Sequence, residues 1–195
     1  MNKIVSVLAV MLIFIGCAQP FKIVSTEDKF SDSSKPYGFI GKNNRLSTKS
    51  SQGGTHIDSK GVYLNPYVFR DRQTDRVIRV GFYVNHLNFE IKDGFRPIEK
   101  IIFLTDKNER VVLKVEHTDY DYGIYGWNSI SMDYNTSYTE RGYGSVPLAD
   151  FKKIVEANWI EVKIVGGKLS QTYEKNKIQK SFLSNLKEFY STKVQ

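Results

Sequence analysis

Three histidines, a scatter of carboxylates and a dense run of tyrosines are the side chains of this 195-residue chain that could do chemistry. His56, His86 and His117 stand at no i, i+3 or i, i+4 spacing, so no helical zinc motif is present. His117 with Asp119 and Asp121 is the densest group of histidine and acid, and it reads either as a metal or Ca²⁺ loop or as a solvated strand-to-loop junction. It lacks the further ligands and the closing glutamate of an EF-hand loop, so neither a metal nor a cofactor is expected. Hydrolysis needs a nucleophile with a base, or two placed carboxylates. Gly142-Tyr143-Gly144-Ser145 resembles a glycine-rich active-site turn only superficially, and no G-x-S-x-G elbow occurs. Glu90, Asp133 and Glu140 are candidate acids one by one, yet their spacing does not bring them together, and no catalytic residue is assigned. An enzyme would need two carboxylates, or a histidine and a carboxylate, converging in one cleft.

The strongest regional signal is aromatic. Tyr120, Tyr122, Tyr125, Trp127, Tyr134, Tyr138 and Tyr143 follow one another among Gly, Asn and Ser. Tyrosine and tryptophan combine a flat apolar body with a polar handle, which suits sugar stacking and protein interfaces. The same residues are ordinary strand formers, so part of the set is also expected to fill a core. Tyr122, Tyr125, Trp127, Tyr134 and Tyr138 are the candidate binding residues. Burial of all seven rings would exclude that assignment.

The chain has a single cysteine, Cys17. Lys3 precedes the uncharged apolar run Ile4 to Ile15, which as a helix would rise about 18 Å, short of the ~30 Å hydrocarbon core of a bilayer. A basic start followed by such a run matches a secretory signal. Its end, Phe14-Ile15-Gly16-Cys17, resembles the lipobox of bacterial lipoprotein precursors, with Gly16 leaving the backbone open to a protease and Cys17 offering a nucleophilic thiol. The resemblance implies cleavage before Cys17 and acylation of Cys17 on its sulfur and its new amino group. Two or three acyl chains, at about 0.8 kcal/mol per buried methylene, would hold the protein stably on a membrane. Ala18 after the cysteine points to the outer membrane of the bacterial envelope, on its periplasmic face or at the cell surface. With Cys17 acylated, no thiol remains for a disulfide, a zinc cluster or a nucleophile.

The elements that must position these side chains follow from composition and period. A 41% apolar, 13% aromatic chain of this length builds one domain with a real core. The net charge of +7 is scattered, with no aromatic-basic motif, which suits anionic lipid and excludes nucleic acid as the expected partner. Residues 1–16 read as signal peptide and 17–36 as lipidated Cys17 with a polar tether, whose residues 18–36 would reach at most about 60 Å. Residues 37–195 read as one β-rich domain. Within it Lys42 to Lys60 is a loop, and Pro66 marks an edge strand or a bulge. Arg76 to Ile91 is a long strand with Leu87, Phe89 and Ile91 in alternation, and Ile101–Leu104 pairs with Val111–Val115 across an Asp/Asn turn. Leu148, Phe151, Ile154 and Val155 mark a short helix opened by Pro147, followed by a strand from Trp159 to the Gly166-Gly167 stop. Ile178, Phe182, Leu186 and Phe189 mark a longer terminal helix.

The expected class is α+β, an antiparallel β-rich, sandwich-like or half-barrel body with a short helix and a longer C-terminal helix. The expected role is that of a lipid-anchored envelope lipoprotein whose domain binds an envelope protein or glycan. A hydrolase acting on an envelope polymer and a structural or assembly accessory are the alternatives.

Overall fold

A computed structural model describes residues 20–27, 35–47, 61–88, 94–129 and 132–195, with the side chains of 88, 125–128 and 133–137 outside that description. The apolar run, Cys17, His56 and Glu90 lie outside the described residues. The fold is α+β, mostly antiparallel sheet with two helices. A seven-stranded sheet contains β1 (Lys22–Ser25), β2 (Tyr37–Lys42), β3 (Arg45–Ser47), β4 (Gly61–Arg70), β5 (Val77–Asn88), β8 (His117–Asn128) and β9 (Asp133–Val146). Its order is β1-β2-β4-β5-β9-β8, with β3 paired to β4. A four-stranded sheet has the order β11-β10-β6-β7, from β6 (Ile98–Thr105), β7 (Arg110–Lys114), β10 (Ile160–Gly166) and β11 (Ser170–Tyr173). The helices are α1 (Leu148–Glu156) and α2 (Lys180–Phe189).

The two sheets face each other across the Phe82–Phe103 contact, and the chain passes from β7 to β8 with only Val115 and Glu116 between them. Period-two burial then supplies both inner faces: Val80, Phe82, Val84 and His86 on β5, Ile101 and Phe103 on β6, Val111 and Leu113 on β7, and Ile160, Val162 and Ile164 on β10. Phe82 of the large sheet stacks on Phe103 of the small one at 5.2 Å between centroids, and Phe151 of α1 closes on Phe82 at 5.3 Å. Helix α1 buries Phe151, Ile154 and Val155 but leaves Leu148 exposed, and α2 buries Phe182, Leu186 and Phe189.

The β6–β7 turn contains the expected chemistry: Asn108 takes a φ of 63° and donates its N–H to the Thr105 carbonyl at 3.0 Å. Elsewhere the details differ from expectation. The buried face of β5 is the even-numbered one, so Leu87 stands on the opposite face and the histidine of the strand points inward. Pro66 lies in an interior strand. It is tolerated because β2 is registered against Tyr67–Arg70 and β3 against Val62–Tyr63, leaving Pro66 at the gap between them. The strand after α1 turns Ile160 rather than Trp159 inward. Residues 22–25, inside the stretch read as tether, form β1 and pair with β2 through Lys22–Lys42 to Ser25–Phe39, so ordered structure starts well before residue 37.

Candidate functional site

Strand register assembles the site. Across β5 and β9, His86 is opposite Glu140; across β9 and β8, Glu140 is opposite Tyr120 and Tyr138 is opposite Tyr122. Because alternate residues share a face, these even-numbered side chains continue the inner face that carries Phe82. Residues 94–97, which lead into β6, fold over this row.

Glu140 holds them there. Its carboxylate accepts the Phe95 N–H at 2.7 Å and the Arg96 N–H at 2.6 Å, and meets His86 Nδ1 at 3.1 Å. The Phe95 ring stands edge-on to the His86 imidazole at 5.0 Å. From the other side, the Phe95 carbonyl accepts the Lys168 N–H at 2.9 Å and the Pro97 carbonyl accepts the Gly167 N–H at 3.0 Å. The approach is close enough that a Cβ on Gly166 would stand 2.5 Å from the Phe95 Cβ, which accounts for glycine where β10 ends.

His86 is 1% exposed and Glu140 3% exposed. Burial pushes the Glu140 carboxyl up, but hydrogen bonds from His86, Arg96 N–H and Phe95 N–H outweigh it and hold the group below the usual carboxylate range. A histidine and a carboxylate therefore do converge, but both are sealed and the carboxylate already has three partners. A base for hydrolysis must reach substrate directly or through one water. This pair is arranged to pin a loop.

Outside the pinned loop lies a cleft of about 520 Å³, lined by Arg96, Tyr120, Tyr122, Tyr138, Glu140 and Lys168 among others. Tyr120 is 68% and Tyr122 45% exposed, and Ile124 continues the same exposed row. Tyr138 is 2% exposed, with its hydroxyl beside the Glu140 carboxylate, and the Arg96 Nε is likewise buried. Burial and then the nearby Glu140 charge push the Tyr138 hydroxyl far up, so it stays protonated, while the positive charge of Arg96 acts in the opposite sense. Asp119 at the rim lies 3.9 Å from Arg141.

Of the candidate binding residues Tyr122 and Tyr138 meet at this cleft, together with Tyr120, Asp119 and Glu140, which the sequence also singled out. Tyr125, Trp127 and Tyr134 lie in β8 and β9, with side chains outside the described residues. Tyr143 is half-buried against Tyr83 and beneath Arg79. His117, Asp119 and Asp121 are exposed, and among the described residues no three His, Cys, Asp or Glu side chains gather to hold a metal. Ser145 donates to Glu116 at 2.8 Å, and Gly144 is explained by packing, since a Cβ there would lie 2.2 Å from the Lys114 carbonyl.

Sequence reasoning missed the His86–Glu140 pair, Arg96 and Lys168. The even-numbered run Val80, Phe82, Val84 was the available signal that His86 faces inward; the register that puts Glu140 opposite it is a long-range property. A second groove of about 390 Å³ runs between α2 and the start of β10, with Trp159 under Lys175 at 4.9 Å and Lys180 and Lys187 at its walls. No protein-family model, curated protein or solved structure matches this chain.

Proposed function

We propose that the protein is a lipid-anchored bacterial envelope lipoprotein whose domain binds an envelope glycan in the cleft beside the β8–β9 hairpin. The observation that carries the binding reading is the pair of exposed rings, Tyr120 and Tyr122, standing along the wall of a cleft of about 520 Å³. A concave site with flat aromatic walls and a few convergent polar groups suits a saccharide, whose C–H faces stack on rings while its hydroxyls find donors and acceptors. An extended protein interface would call for a broader apolar surface. The hydrolase alternative is disfavoured by the burial of His86 and the saturation of Glu140.

Replacing Tyr120 and Tyr122 together by Ala should weaken co-sedimentation of the full chain with purified insoluble envelope glycan about tenfold or more, as expected for two stacked rings. Wild-type protein that stays in the supernatant would overturn the glycan reading. The anchor is supported by the Phe14-Ile15-Gly16-Cys17 pattern behind its apolar run. Cys17→Ser should release the protein from membranes and abolish labelling with a fatty-acid probe, and unchanged labelling would refute acylation.

A further inference from the structure

Lysines at one border of the molecule stand without counter-charges. Lys22 of β1 lies directly opposite Lys42 of β2, both exposed, although like charges face to face across two strands destabilise a sheet. Neither forms an ion pair among the described residues. The same border receives the chain from Cys17: the carbonyl of Pro20, three residues on and at most about 11 Å away, accepts from Asn43 Nδ2 at 3.1 Å. Asn44 then accepts from Asn185 Nδ2 of α2 at 3.1 Å, and the Gln179 N–H ahead of α2 donates to the Leu46 carbonyl of β3 at 2.9 Å. Helix α2 is thereby laced to the place where the chain enters, and it forms one wall of the groove of about 390 Å³.

That groove combines an apolar floor with cations. Trp159, 37% exposed, lies in it with the half-buried Ile178 and Leu183, and the exposed Lys175, Lys180 and Lys187 surround them. No carboxylate lines it. The acids of the adjoining turns are engaged, Asp106 with the N–H and Nδ2 of Asn158 and Glu174 with Lys177 at 3.4 Å. Lys180 and Lys187 form no ion pair among the described residues. Resting on the Cys17 anchor reading, we infer that the α2 groove, with Lys22 and Lys42, docks on an anionic phospholipid surface and seats Trp159 in the headgroup layer. Tryptophan is enriched at that depth, and lysine stems lie along apolar surface while their ammonium groups reach phosphate. Each lysine near an anionic bilayer strengthens the contact about fivefold. A bilayer is favoured over an acidic protein because one extended anionic surface meets the groove and the Lys22–Lys42 pair together, beside the residue that carries the acyl chains.

The test uses the acylated protein, purified in detergent and reconstituted into vesicles of phosphatidylcholine alone or mixed with phosphatidylglycerol. A Trp127→Phe background leaves Trp159 as the one indole of the chain, and phospholipid brominated near the headgroup quenches an indole that enters that layer. Trp159 should be quenched on the anionic vesicles at about 0.1 M salt, and unquenched on neutral vesicles or at about 1 M salt, where the Debye length falls from about 10 to about 3 Å. Replacing Lys175, Lys180 and Lys187 together by Gln should lower the docked-to-undocked ratio about a hundredfold and remove the quenching. Replacing Lys100, Lys114 and Lys163 by Gln, on the outer face of the four-stranded sheet, removes the same charge and should leave it intact; circular dichroism and melting temperature certify both folds. Equal loss in the two triple variants, or no quenching on anionic vesicles with which the protein still floats, would overturn the docking and leave the anchor standing. Trp159 emission that answers soluble oligoglutamate but not the vesicles would overturn the bilayer in favour of an acidic protein. Failure to float with either vesicle would overturn both the docking and the anchor.

Discussion

Glu140 shows what one buried carboxylate can organise. Three donors converge on it from two separate segments of the chain, His86 on β5 and the N–H groups of Phe95 and Arg96 ahead of β6. Because its folded pKa is held below the unfolded value of about 4.3, its stabilisation is fully present above that pH and is lost as pH falls through the folded value. Glu140→Gln puts an amide against N–H donors and should cost about 2–3 kcal/mol at neutral pH. Urea unfolding followed from pH 7 to pH 3 should show the gap to wild type narrowing on the acid side of about pH 4. A gap of constant size would mean that the ionised form carries none of the stabilisation.

The loop over the cleft is an element without regular structure of its own, so its shape is borrowed. Glu140 holds it from beneath, and the backbone N–H groups of Gly167 and Lys168 hold it from the end of β10. Gly166→Ala drives a methyl into Phe95 and should lower stability by about 1–3 kcal/mol in thermal unfolding. A melting temperature equal to wild type would show that the loop yields without cost. Elements of this kind were the least legible in the sequence. The β6–β7 hairpin, α1 and α2 announce themselves by local period and turn chemistry, and they form where expected. The inward face of β5 was not legible because Leu87, Phe89 and Ile91 set a local alternation out of phase with Val80, Phe82 and Val84 in the sequence. Pro66 reads as an edge strand or a bulge because a sequence does not show where one neighbouring strand stops and another begins. The candidate site was half legible. Its tyrosines stood out by composition, whereas Arg96 and Glu140 became partners only through a register spanning more than forty residues.

At the scale of the whole molecule, the two sheets are joined by the β7–β8 passage and sealed by aromatic contact. Phe82 touches partners from the opposite sheet and from α1, so Phe82→Ala should cost about 3–5 kcal/mol and loosen both sheets together. Near-ultraviolet circular dichroism and far-ultraviolet circular dichroism should then melt at one lowered temperature, and two separated transitions would show that the sheets fold as independent units. The position of β1 bears on how the protein addresses its surroundings. Cys17 lies five residues before Lys22, a reach of at most about 18 Å, so an acylated Cys17 would moor the β1 border of the large sheet close to the lipid headgroups. β8, which carries Tyr120 and Tyr122, is the opposite border, five strand spacings or about 24 Å away. In that arrangement the sheet would act as a short rigid arm, with the acylated end at one border and the cleft at the other, about five strand spacings from the bilayer.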